Sequence, residues 1–253
     1  MADPKPLQGK VVLVTGAAQG IGAAISDYIA ARGATLSLAD LQIDKLNASA
    51  QRISETYPDI QVSTWTVNVT DPKSVEEWVI ASKEKFGRID GCVNNAGILG
   101  DGNQITEMSY ENWSRVIDVN LTGVFNCLKF QLRAIADGGS IVNMSSAAGI
   151  RKIPILPAYA ASKHGVIGLS RIAAAEHAHR NVRVNAVCPG FVDGGMKDVL
   201  CKEKPELNVA EYPVLLKEYL PVGEVAAMVG YLLGNESKFI TRAILPVDGG
   251  MSG

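Results

Sequence analysis

The sequence predicts an α/β fold, a doubly wound parallel sheet of about seven strands with helices on both faces. Short β-branched runs alternate with longer stretches of helical spacing almost from end to end. The runs are apolar throughout, which is typical of strands covered on both faces. Alternation on this scale favours parallel strands joined by right-handed crossovers. With 253 residues, of which 47% are hydrophobic, the chain can build such a core as one domain.

The alternating segments can be assigned in order along the chain. The predicted strands are 10–15, 35–40, 61–67, 89–93, 140–144, 183–187 and 243–247. The predicted helices are 21–32, 44–57, 72–86, 110–133, 158–177 and 223–233. We expect residues 1–253 to form a single domain. The long irregular insertion at 191–220 is predicted to be a substrate-binding lid, because long connections are often functional.

The composition disfavours several classes of partner. The formal net charge is −2, from 24 basic and 26 acidic residues, so the chain lacks the basic excess typical of nucleic-acid binders. No apolar run approaches the roughly 18–20 residues of a membrane-spanning helix, and the N-terminus lacks the pattern of a secretory signal. The four cysteines form no Cys-x-x-Cys pair, which disfavours a disulfide framework or a zinc site. We expect a cytoplasmic protein that binds no metal, nucleic acid or membrane.

A glycine-rich turn follows the first predicted strand. Its glycines are Gly16, Gly20 and Gly22, and the next helix begins within the turn. Glycine lets the backbone turn tightly and approach a pyrophosphate, while the helix N-terminus offers free N–H groups and a positive dipole end. A plain strand-to-helix turn could also contain such a cluster. Its place on the first βα turn of an alternating chain favours a dinucleotide site.

An acidic residue, Asp40, ends the second predicted strand, 24 positions after Gly16. A carboxylate at about this distance can accept hydrogen bonds from the ribose hydroxyls of an adenosine, and it would repel a 2′-phosphate. Neither the glycine-rich turn nor Leu41 supplies an arginine for such a phosphate. The sequence therefore favours NAD over NADP. The alternative is that Asp40 is a solvated strand end or a helix cap.

Tyr159 and Lys163 are spaced i and i+4, so on a helix they share one face. A free tyrosine has a pKa of ~10, too high for a base at neutral pH, and a nearby ammonium lowers it. The pair suits a tyrosine that exchanges protons with a substrate hydroxyl. Such pairs also occur on solvated helix faces, so the spacing alone is weak evidence.

Five further features complete a series that begins with the glycine-rich turn. In chain order they are Asn94–Gly97, Asn120, Ser145–Ser146, Tyr159 with Lys163, and Pro189–Gly190. With these motifs the chain resembles the short-chain dehydrogenase/reductase family in its single-domain form. The resemblance extends from Gly9 to Gly250. It implies a Rossmann-like fold and a nicotinamide cofactor.

The resemblance implies four catalytic residues. Tyr159 would transfer a proton to or from the substrate oxygen, and Ser146 would hold that oxygen. Lys163 would lower the pKa of the tyrosine and bind the ribose beside the nicotinamide. Asn120 would hold a water molecule in a proton relay towards the lysine. The family's serine lies 13 positions before the tyrosine, which selects Ser146 rather than Ser145.

The resemblance also implies which residues contact the cofactor. Asp40 matches the acidic position of NAD-preferring members, and Asn68 begins the segment that contacts adenine. The full predicted set is Gly16, Gln19, Gly20, Ile21, Gly22, Asp40, Leu41, Asn68, Val69, Asn95, Ala96, Gly97, Tyr159, Lys163, Pro189, Gly190 and Val192.

Three positions depart from the family pattern. Asn68 stands where aspartate is usual, and we expect its amide oxygen still to accept a bond from the adenine amino group. Gly194 stands where a threonine often contacts the nicotinamide carboxamide. Arg242 follows Thr241 where the family often has glycine, which could alter an interface contact.

The substrate site should lie over the nicotinamide. Its walls should be the stretches that follow Gly97, Ser146 and Pro189. The apolar residues there are Ile98, Leu99, Ile150, Ile153, Ile155, Leu156, Phe191, Met196, Val199, Leu200, Tyr212, Val214 and Leu215. Many of them would only pack the lid onto the body. The apolar lining predicts that the substrate is a secondary alcohol or ketone on a fairly large hydrophobic skeleton. The charged pair Arg151–Lys152 could bind a substrate carboxylate at the rim of the site, or it could lie in a solvated loop.

Two other functions stay open on this scaffold. One is a redox-neutral enzyme such as an epimerase, dehydratase or cyclase, and the other is a catalytically inactive cofactor-binding scaffold. The intact set of four catalytic residues argues against the second. We also expect a homodimer or homotetramer, in which the helix around Ala173–Ala175 and the apolar C-terminal strand pack against other copies.

Overall fold

The computed structural model describes residues 5–151, 155–193, 196, 202, 214–216 and 220–252. Seven strands form one parallel sheet within these residues. The strands are β1 (Val11–Thr15), β2 (Thr35–Asp40), β3 (Val62–Thr66), β4 (Gly91–Asn94), β5 (Ser140–Met144), β6 (Arg183–Pro189) and β7 (Ile244–Val247). Their order across the sheet is β3-β2-β1-β4-β5-β6-β7. The predicted doubly wound fold is therefore confirmed.

The α-helices follow the predicted segments closely. They are α1 (Gly20–Ala31), α2 (Ile43–Thr56), α3 (Pro72–Phe86), α4 (Tyr110–Ile117), α5 (Gly123–Ala134), α6 (Pro157–His177) and α7 (Val222–Leu233). Helices α1, α2 and α7 bury their apolar residues on one face of the sheet, and α3, α5 and α6 on the other. None of the helices in the described residues is both long and apolar enough to cross a membrane.

The strand order reverses between β1 and β4, and the carboxyl ends of these two parallel strands lie at the same edge of the sheet. β1 pairs with β2 on one side and with β4 on the other. In an open parallel sheet, the crevice beyond the carboxyl ends at such a reversal is where ligands bind. The fold therefore places the glycine-rich turn after β1 directly beside the Asn94–Gly97 motif after β4.

The segment predicted as one helix over 110–133 contains a π turn at Asp118–Thr122, between α4 and α5. A π turn inserts an extra residue into a helix, and such turns occur frequently at functional sites. The extra residue lets Asn120 point into the protein while Val116 and Val124, on the flanking helices, stay buried in the core. The helical spacing was predicted correctly, and the π turn was not.

The predicted lid, residues 191–220, is closed at its base. Val192 pairs with Leu220 in a parallel β-bridge. The Asp193 amide donates to the Leu220 carbonyl at 3.2 Å, and the Leu220 amide donates to the Phe191 carbonyl at 3.3 Å. Several residues singled out in the sequence lie outside the described residues: Lys152, Ile153, Gly194, Val199, Leu200, Cys201 and Tyr212. The lid function stays a prediction.

Part of the expected assembly surface is buried within the chain. Ala173 and Ala174 lie in the core, with 5% and 2% of their surface exposed, whereas Ala175 and Ile172 on the same helix are exposed. The apolar strand β7 does lie at the edge of the sheet, near the fully exposed Phe239. A homo-oligomer through that edge stays a prediction.

The position that departs from the family's Thr-Gly pair has a left-handed backbone. Arg242 has φ = 62°, a conformation that favours glycine because a Cβ atom crowds the following carbonyl. Its neighbourhood is fixed by two bonds to β6: the Val184 amide donates to Thr241 Oγ1 at 3.1 Å, and the Arg242 amide donates to the Val184 carbonyl at 2.8 Å. The arginine therefore holds a strained conformation on the protein surface.

We predict that Arg242→Gly stabilises the protein. Relief of left-handed strain is worth roughly 1–2 kcal/mol, and the added freedom of glycine in the unfolded chain offsets about half of it. The melting temperature should rise by about 1–4 °C. Arg242→Ala, which removes the charge but keeps the Cβ atom, is the matched control. An equal or larger rise for the alanine variant would show that strain is not the cause.

Candidate active site

Two backbone turns meet at the sheet reversal and are bonded to each other. Thr15 Oγ1 accepts hydrogen bonds from the amides of Asn95 at 3.0 Å and Ala96 at 3.2 Å. Asn95 Nδ2 donates back to the Gly16 carbonyl at 3.0 Å. A Cβ atom on Gly16, where φ is +65°, would lie 2.8 Å from Ala96 Cα. Only glycine therefore fits where the β1 turn touches the β4 turn.

The N-terminus of α1 opens into the crevice. Gln19 precedes the helix with extended backbone and no side-chain cap, and the first turn of α1 contains no acidic residue. Gly20 has φ = +58° and open space where a Cβ would be. A Cβ on Gly22 would lie 2.0 Å from the Gly16 carbonyl oxygen. Gly16 and Gly20 thus shape the open turn, whereas Gly22 lets the helix pack against it.

A single cavity of about 710 Å³ runs along this edge of the sheet. It falls within the usual size of a small-molecule or cofactor site. The predicted site residues in its wall are Gly16, Gln19, Gly20, Ile21, Asp40, Leu41, Asn68, Val69, Asn95, Ala96, Gly97, Ser146, Tyr159, Lys163, Pro189, Gly190 and Val192. Gly22 and Asn120 lie behind the wall. The structure therefore brings nearly the whole predicted set to one cavity.

Asp40 lies half-buried at one end of the cavity, where two backbone amides hold its carboxylate. The Ala18 amide donates to Oδ2 and the Gln42 amide donates to Oδ1, both at 3.0 Å. A carboxylate has about four acceptor positions, so each oxygen can accept a further bond from a ligand. The two amides fix the direction in which Asp40 presents its charge.

The side-chain oxygen of Asn68 accepts hydrogen bonds from within the protein, which the sequence did not predict. Its Oδ1 atom accepts from the Thr70 amide at 3.1 Å and from Thr70 Oγ1 at 2.9 Å. An amide oxygen has two lone pairs, so these bonds already use its ordinary capacity. A bond from an adenine amino group would therefore compete with Thr70.

Tyr159 and Ser146 meet at the opposite end of the cavity. Tyr159 is half-buried near the start of α6, and Ser146 lies two residues after β5, where it caps the short turn at Ala147–Gly149. Burial raises the pKa of Tyr159, because the phenolate loses hydration, and a hydrogen bond with the Ser146 side chain partly lowers it again. Ser146 Oγ also accepts from the Ala148 amide at 3.1 Å, which fixes its position.

Lys163 is buried one helical turn after Tyr159. Its Nζ atom donates to the Met144 carbonyl at 2.9 Å and lies 5.6 Å from the centroid of the Tyr159 ring. Only 4% of the residue's surface is exposed, and this loss of hydration lowers the pKa of Lys163 to about 8. Its lowering of the tyrosine pKa stays a prediction.

Asn120, in the π turn, anchors the loop that follows β4. Its Oδ1 atom accepts from the Ile98 amide and its Nδ2 atom donates to the Ile98 carbonyl, both at 2.8 Å. Nδ2 also donates to Ser162 Oγ at 3.2 Å, and that hydroxyl donates to the Tyr159 carbonyl at 2.7 Å. The Asn120 side chain therefore connects the β4 loop with the helix that carries Tyr159 and Lys163.

The apolar end of the cavity contains part of the predicted substrate wall. The predicted residues found there are Ile98, Leu99, Ile155, Leu156, Phe191 and Met196. Ile150 instead packs against the cluster around Ile167 and Cys188. Val214 and Leu215 are not in the cavity wall: they lie near the C-terminal glycines Gly249 and Gly250, and Leu215 is 80% exposed.

Sequence reasoning missed several residues in the cavity wall. They are Thr15, Ala39, Gln42, Val67, Val119, Met144, Ser145, Ala147 and Met251. Most of them end a strand or follow one, so the rule that ligands bind beyond the carboxyl ends of parallel strands could have found them. Met251, near the chain terminus, had no such signal.

Comparison with known proteins agrees with this geometry. A family model described as enoyl-(acyl carrier protein) reductase matches residues 16–252. Levodione reductase of Leifsonia aquatica is 39% identical, with 96% of this chain and 94% of the relative covered. The chain belongs to the short-chain dehydrogenase/reductase family. Cyclohexanol dehydrogenase of an Acinetobacter species is 35% identical, with 95% of this chain and 94% of the relative covered.

Solved structures of this short-chain family superimpose closely. The crystal structure of levodione reductase matches with a TM-score of 0.91 at 38% identity, covering 97% of this chain and 98% of that one. NAD⁺-bound xylitol dehydrogenase matches with a TM-score of 0.90 at 30% identity, covering 97% of this chain and 100% of that one. Carveol dehydrogenase from Mycobacterium avium in complex with NAD matches with a TM-score of 0.89 at 29% identity, covering 98% of this chain and 99% of that one.

We predict that Asn120→Asp destabilises the fold. The substitution keeps the shape but replaces the buried amide donor with an acceptor facing the Ile98 carbonyl. The expected loss is about 2–4 kcal/mol in the free energy of unfolding, measured by denaturant titration. Asn126→Asp, which removes one bond to the Val69 carbonyl at 2.9 Å, is the matched control. A smaller loss at Asn120 than at Asn126 would contradict its anchoring role.

Proposed function

We propose that this protein is an NAD-dependent oxidoreductase that interconverts a secondary alcohol and a ketone on a fairly large hydrophobic skeleton. One observation carries the proposal. A single cavity has the fixed carboxylate of Asp40 at one end and Ser146, Tyr159 and Lys163 together at the other. A dinucleotide is an extended molecule, and this arrangement suits one whose adenosine lies by the carboxylate and whose nicotinamide lies by the tyrosine.

The described residues fit such a cofactor. The uncapped N-terminus of α1 and the close-packed turn at Gly16 would hold the pyrophosphate, since free amides and the helix dipole favour an anion. Asp40 would accept the ribose hydroxyls and repel a 2′-phosphate. Pro189 and Gly190, at the end of β6, would lie beside the nicotinamide. The nicotinamide ring would supply the hydride chemistry, which no side chain of the protein can.

Tyr159 is proposed to be the general acid and base. In alcohol oxidation its phenolate oxygen accepts the hydroxyl proton of the substrate, and in ketone reduction its hydroxyl returns that proton. Ser146, which is within hydrogen-bonding reach of Tyr159, would hold the substrate oxygen beside it. Placing donor and acceptor in one geometry before reaction lowers the entropic part of the barrier.

Lys163 is proposed to keep the tyrosine proton mobile near neutral pH. The Met144 carbonyl holds the lysine at its position below the tyrosine ring, so the charge is in place before a ligand binds. Asn120 holds the loop and the helix in register around this pair. We therefore treat Asn120 as a positioning residue, and its role in holding a relay water stays part of this proposal.

The hydrophobic substrate class is supported by the wall around Ile155, Phe191 and Met196. The names of levodione reductase and cyclohexanol dehydrogenase indicate carbonyl and alcohol chemistry in these two relatives. The similarity to a xylitol dehydrogenase shows that the same fold also serves a polar polyol. The apolar wall favours the hydrophobic class here, because desolvating several hydroxyl groups against it would be unfavourable.

We predict that Asp40 selects NADH over NADPH. Wild-type protein should bind NADH more tightly, as followed by nicotinamide fluorescence. Asp40→Asn should weaken NADH binding roughly tenfold, the loss of about one charge-assisted hydrogen bond. It should also tighten NADPH binding, because the repulsion of the 2′-phosphate disappears. Asp44→Asn, an exposed neighbour outside the cavity wall, controls for the change in net charge.

Tighter NADPH than NADH binding in the wild type would contradict the role of Asp40 as selector. Equal effects of the Asp40 and Asp44 substitutions would show that only the overall charge matters. Binding of neither nucleotide would overturn the proposed function itself.

We predict that Tyr159→Phe abolishes turnover. General acid–base catalysis contributes roughly 10²–10⁴-fold, so kcat should fall by at least about a hundredfold while NADH binding stays intact.

We predict that the rate of alcohol oxidation by the wild type rises with pH through about 8, the value to which burial lowers the pKa of Lys163. The reason is that the reactive form of the Tyr159–Lys163 pair has lost one proton. Ketone reduction, which consumes that proton, should fall over the same range.

The same assays separate the alternatives. Cyclohexanol and its ketone serve as hydrophobic probes, and xylitol serves as the polar control. Turnover of xylitol alone would overturn the hydrophobic class. Conversion of a substrate without net change in cofactor would identify a redox-neutral enzyme. Nucleotide binding with no turnover on any probe, and no loss in the Tyr159→Phe variant, would identify an inactive scaffold.

A further inference from the structure

The chain ends in a compact turn after β7, which we call the C-terminal turn and define as residues 248–252. Gly249 and Gly250 have φ values of +63° and +84°, so the backbone reverses there. The Asp248 carboxylate accepts from the Gly250 amide at 3.0 Å and from the Ser252 hydroxyl. The Met251 amide donates to the Asp248 carbonyl at 3.2 Å. These bonds fix the turn without using the Met251 side chain.

Two other parts of the chain are hydrogen-bonded to the C-terminal turn. The guanidinium group of Arg151 donates to the Met251 carbonyl. The amides of Leu215 and Leu216 donate to the Gly249 carbonyl at 2.9 and 3.0 Å. Arg151 follows the loop that carries Ser146, and the two leucines belong to the predicted lid. The turn therefore connects the two segments expected to enclose the substrate.

Met251 lines the same cavity as Tyr159, and only 2% of the residue's surface is exposed. Its place along the cavity follows from the sheet. β7 pairs with β6, and a Cβ on Gly190 would lie 2.9 Å from Asp248 Cα. Asp40 ends β2, in the other half of the sheet. Met251 thus lies at the substrate end, away from the adenosine end.

We propose that Met251 is a specificity-determining residue that limits the size of the hydrophobic skeleton, and that Arg151 is the positioning residue that holds it. The inference rests on the proposed function and goes beyond it by naming the wall that sets substrate size. A methionine is flexible and polarizable, so it can contact a bulky apolar ligand closely. Arg151 is bonded to the backbone of Met251, so in this proposal the thioether is left to face the ligand.

The test compares two alcohols with wild type, Met251→Ala and Met251→Trp. Cyclohexanol is the small probe and a fused two-ring alcohol, decahydro-2-naphthol, is the bulky one. Met251→Ala should raise the ratio of kcat/KM for the bulky over the small alcohol at least about tenfold, and Met251→Trp should lower it at least about tenfold, since even one methylene group in an apolar pocket changes such ratios by roughly tenfold or more. The Kd for NADH should stay within twofold of wild type in both variants.

Arg151 is tested by the same ratio. Arg151→Met keeps the apolar stem but removes the donors, so it should shift the ratio in the direction of Met251→Ala, mainly through KM. Arg151→Lys should restore part of the selectivity, since an ammonium can still donate to the carbonyl. Met228→Ala, a truncation of a partly buried side chain of α7 that packs against the core, is the control for a loss of stability alone and should leave the ratio unchanged.

A readout without turnover accompanies the kinetics. Each alcohol is added to the enzyme with NADH, and the shift in melting temperature reports binding. The bulky alcohol should stabilise Met251→Ala more than wild type and Met251→Trp less. Identical ratios and identical shifts in all three proteins would overturn the proposal while leaving the oxidoreductase function intact. Loss of NADH binding by wild type would instead overturn the proposed function on which it rests.

Discussion

The nucleotide crevice depends on the close approach of two backbone turns at the point where the strand order reverses. Gly16 touches Ala96 across the gap between β1 and β4, and Thr15 bonds to both amides of the second turn. Any side chain at Gly16 or Gly22 would push strand and helix apart, because the missing Cβ atoms already lie within 3 Å of the neighbouring backbone. This contact keeps the N-terminus of α1 open towards the cavity. The direction of Asp40 follows from it as well, since the amide of Ala18 in the same turn holds that carboxylate.

The catalytic half depends on a buried polar framework beneath the sheet edge. Asn94 and Gln131 exchange hydrogen bonds at 2.9 and 2.8 Å, and Asn94 also donates to Asn143 at 2.8 Å. Asn143 donates to Ser170 on α6 at 2.9 Å. These bonds fix β4 and β5 relative to the helix that carries Lys163. A buried ammonium is costly without a well-placed acceptor, and this framework sets the Met144 carbonyl, next to Asn143, in that place.

Sequence reasoning recovered the parts of this site that depend on local chemistry. A strand is recognised by its buried β-branched run, and Gly16 by the turn that follows it. The π turn at Asn120 was not predictable, because the eight-residue spacing of Val116 and Val124 across it also fits the apolar face of a regular helix. The bonds of Asn68 to Thr70 were missed because they form within a turn whose geometry depends on β3 and α3. The bond from the Leu215 amide to Gly249 was missed for a similar reason, since the two residues are far apart along the chain.

The two halves of the cavity differ in how tightly their positions are fixed. The adenosine half is made of strand ends and of a helix start that pack against each other, so an added side chain at the glycines of this contact disturbs the sheet. The substrate half gathers the β4 loop, the segment after Ser146, the predicted lid and the C-terminal turn. These segments are separated along the chain and meet through a few bonds, such as that from Arg151 to Met251. A residue such as Met251, whose backbone is held independently of its side chain, can therefore change without loss of the fold. This difference explains how relatives that share the same sheet and turns can be named for substrates as unlike as xylitol and cyclohexanol.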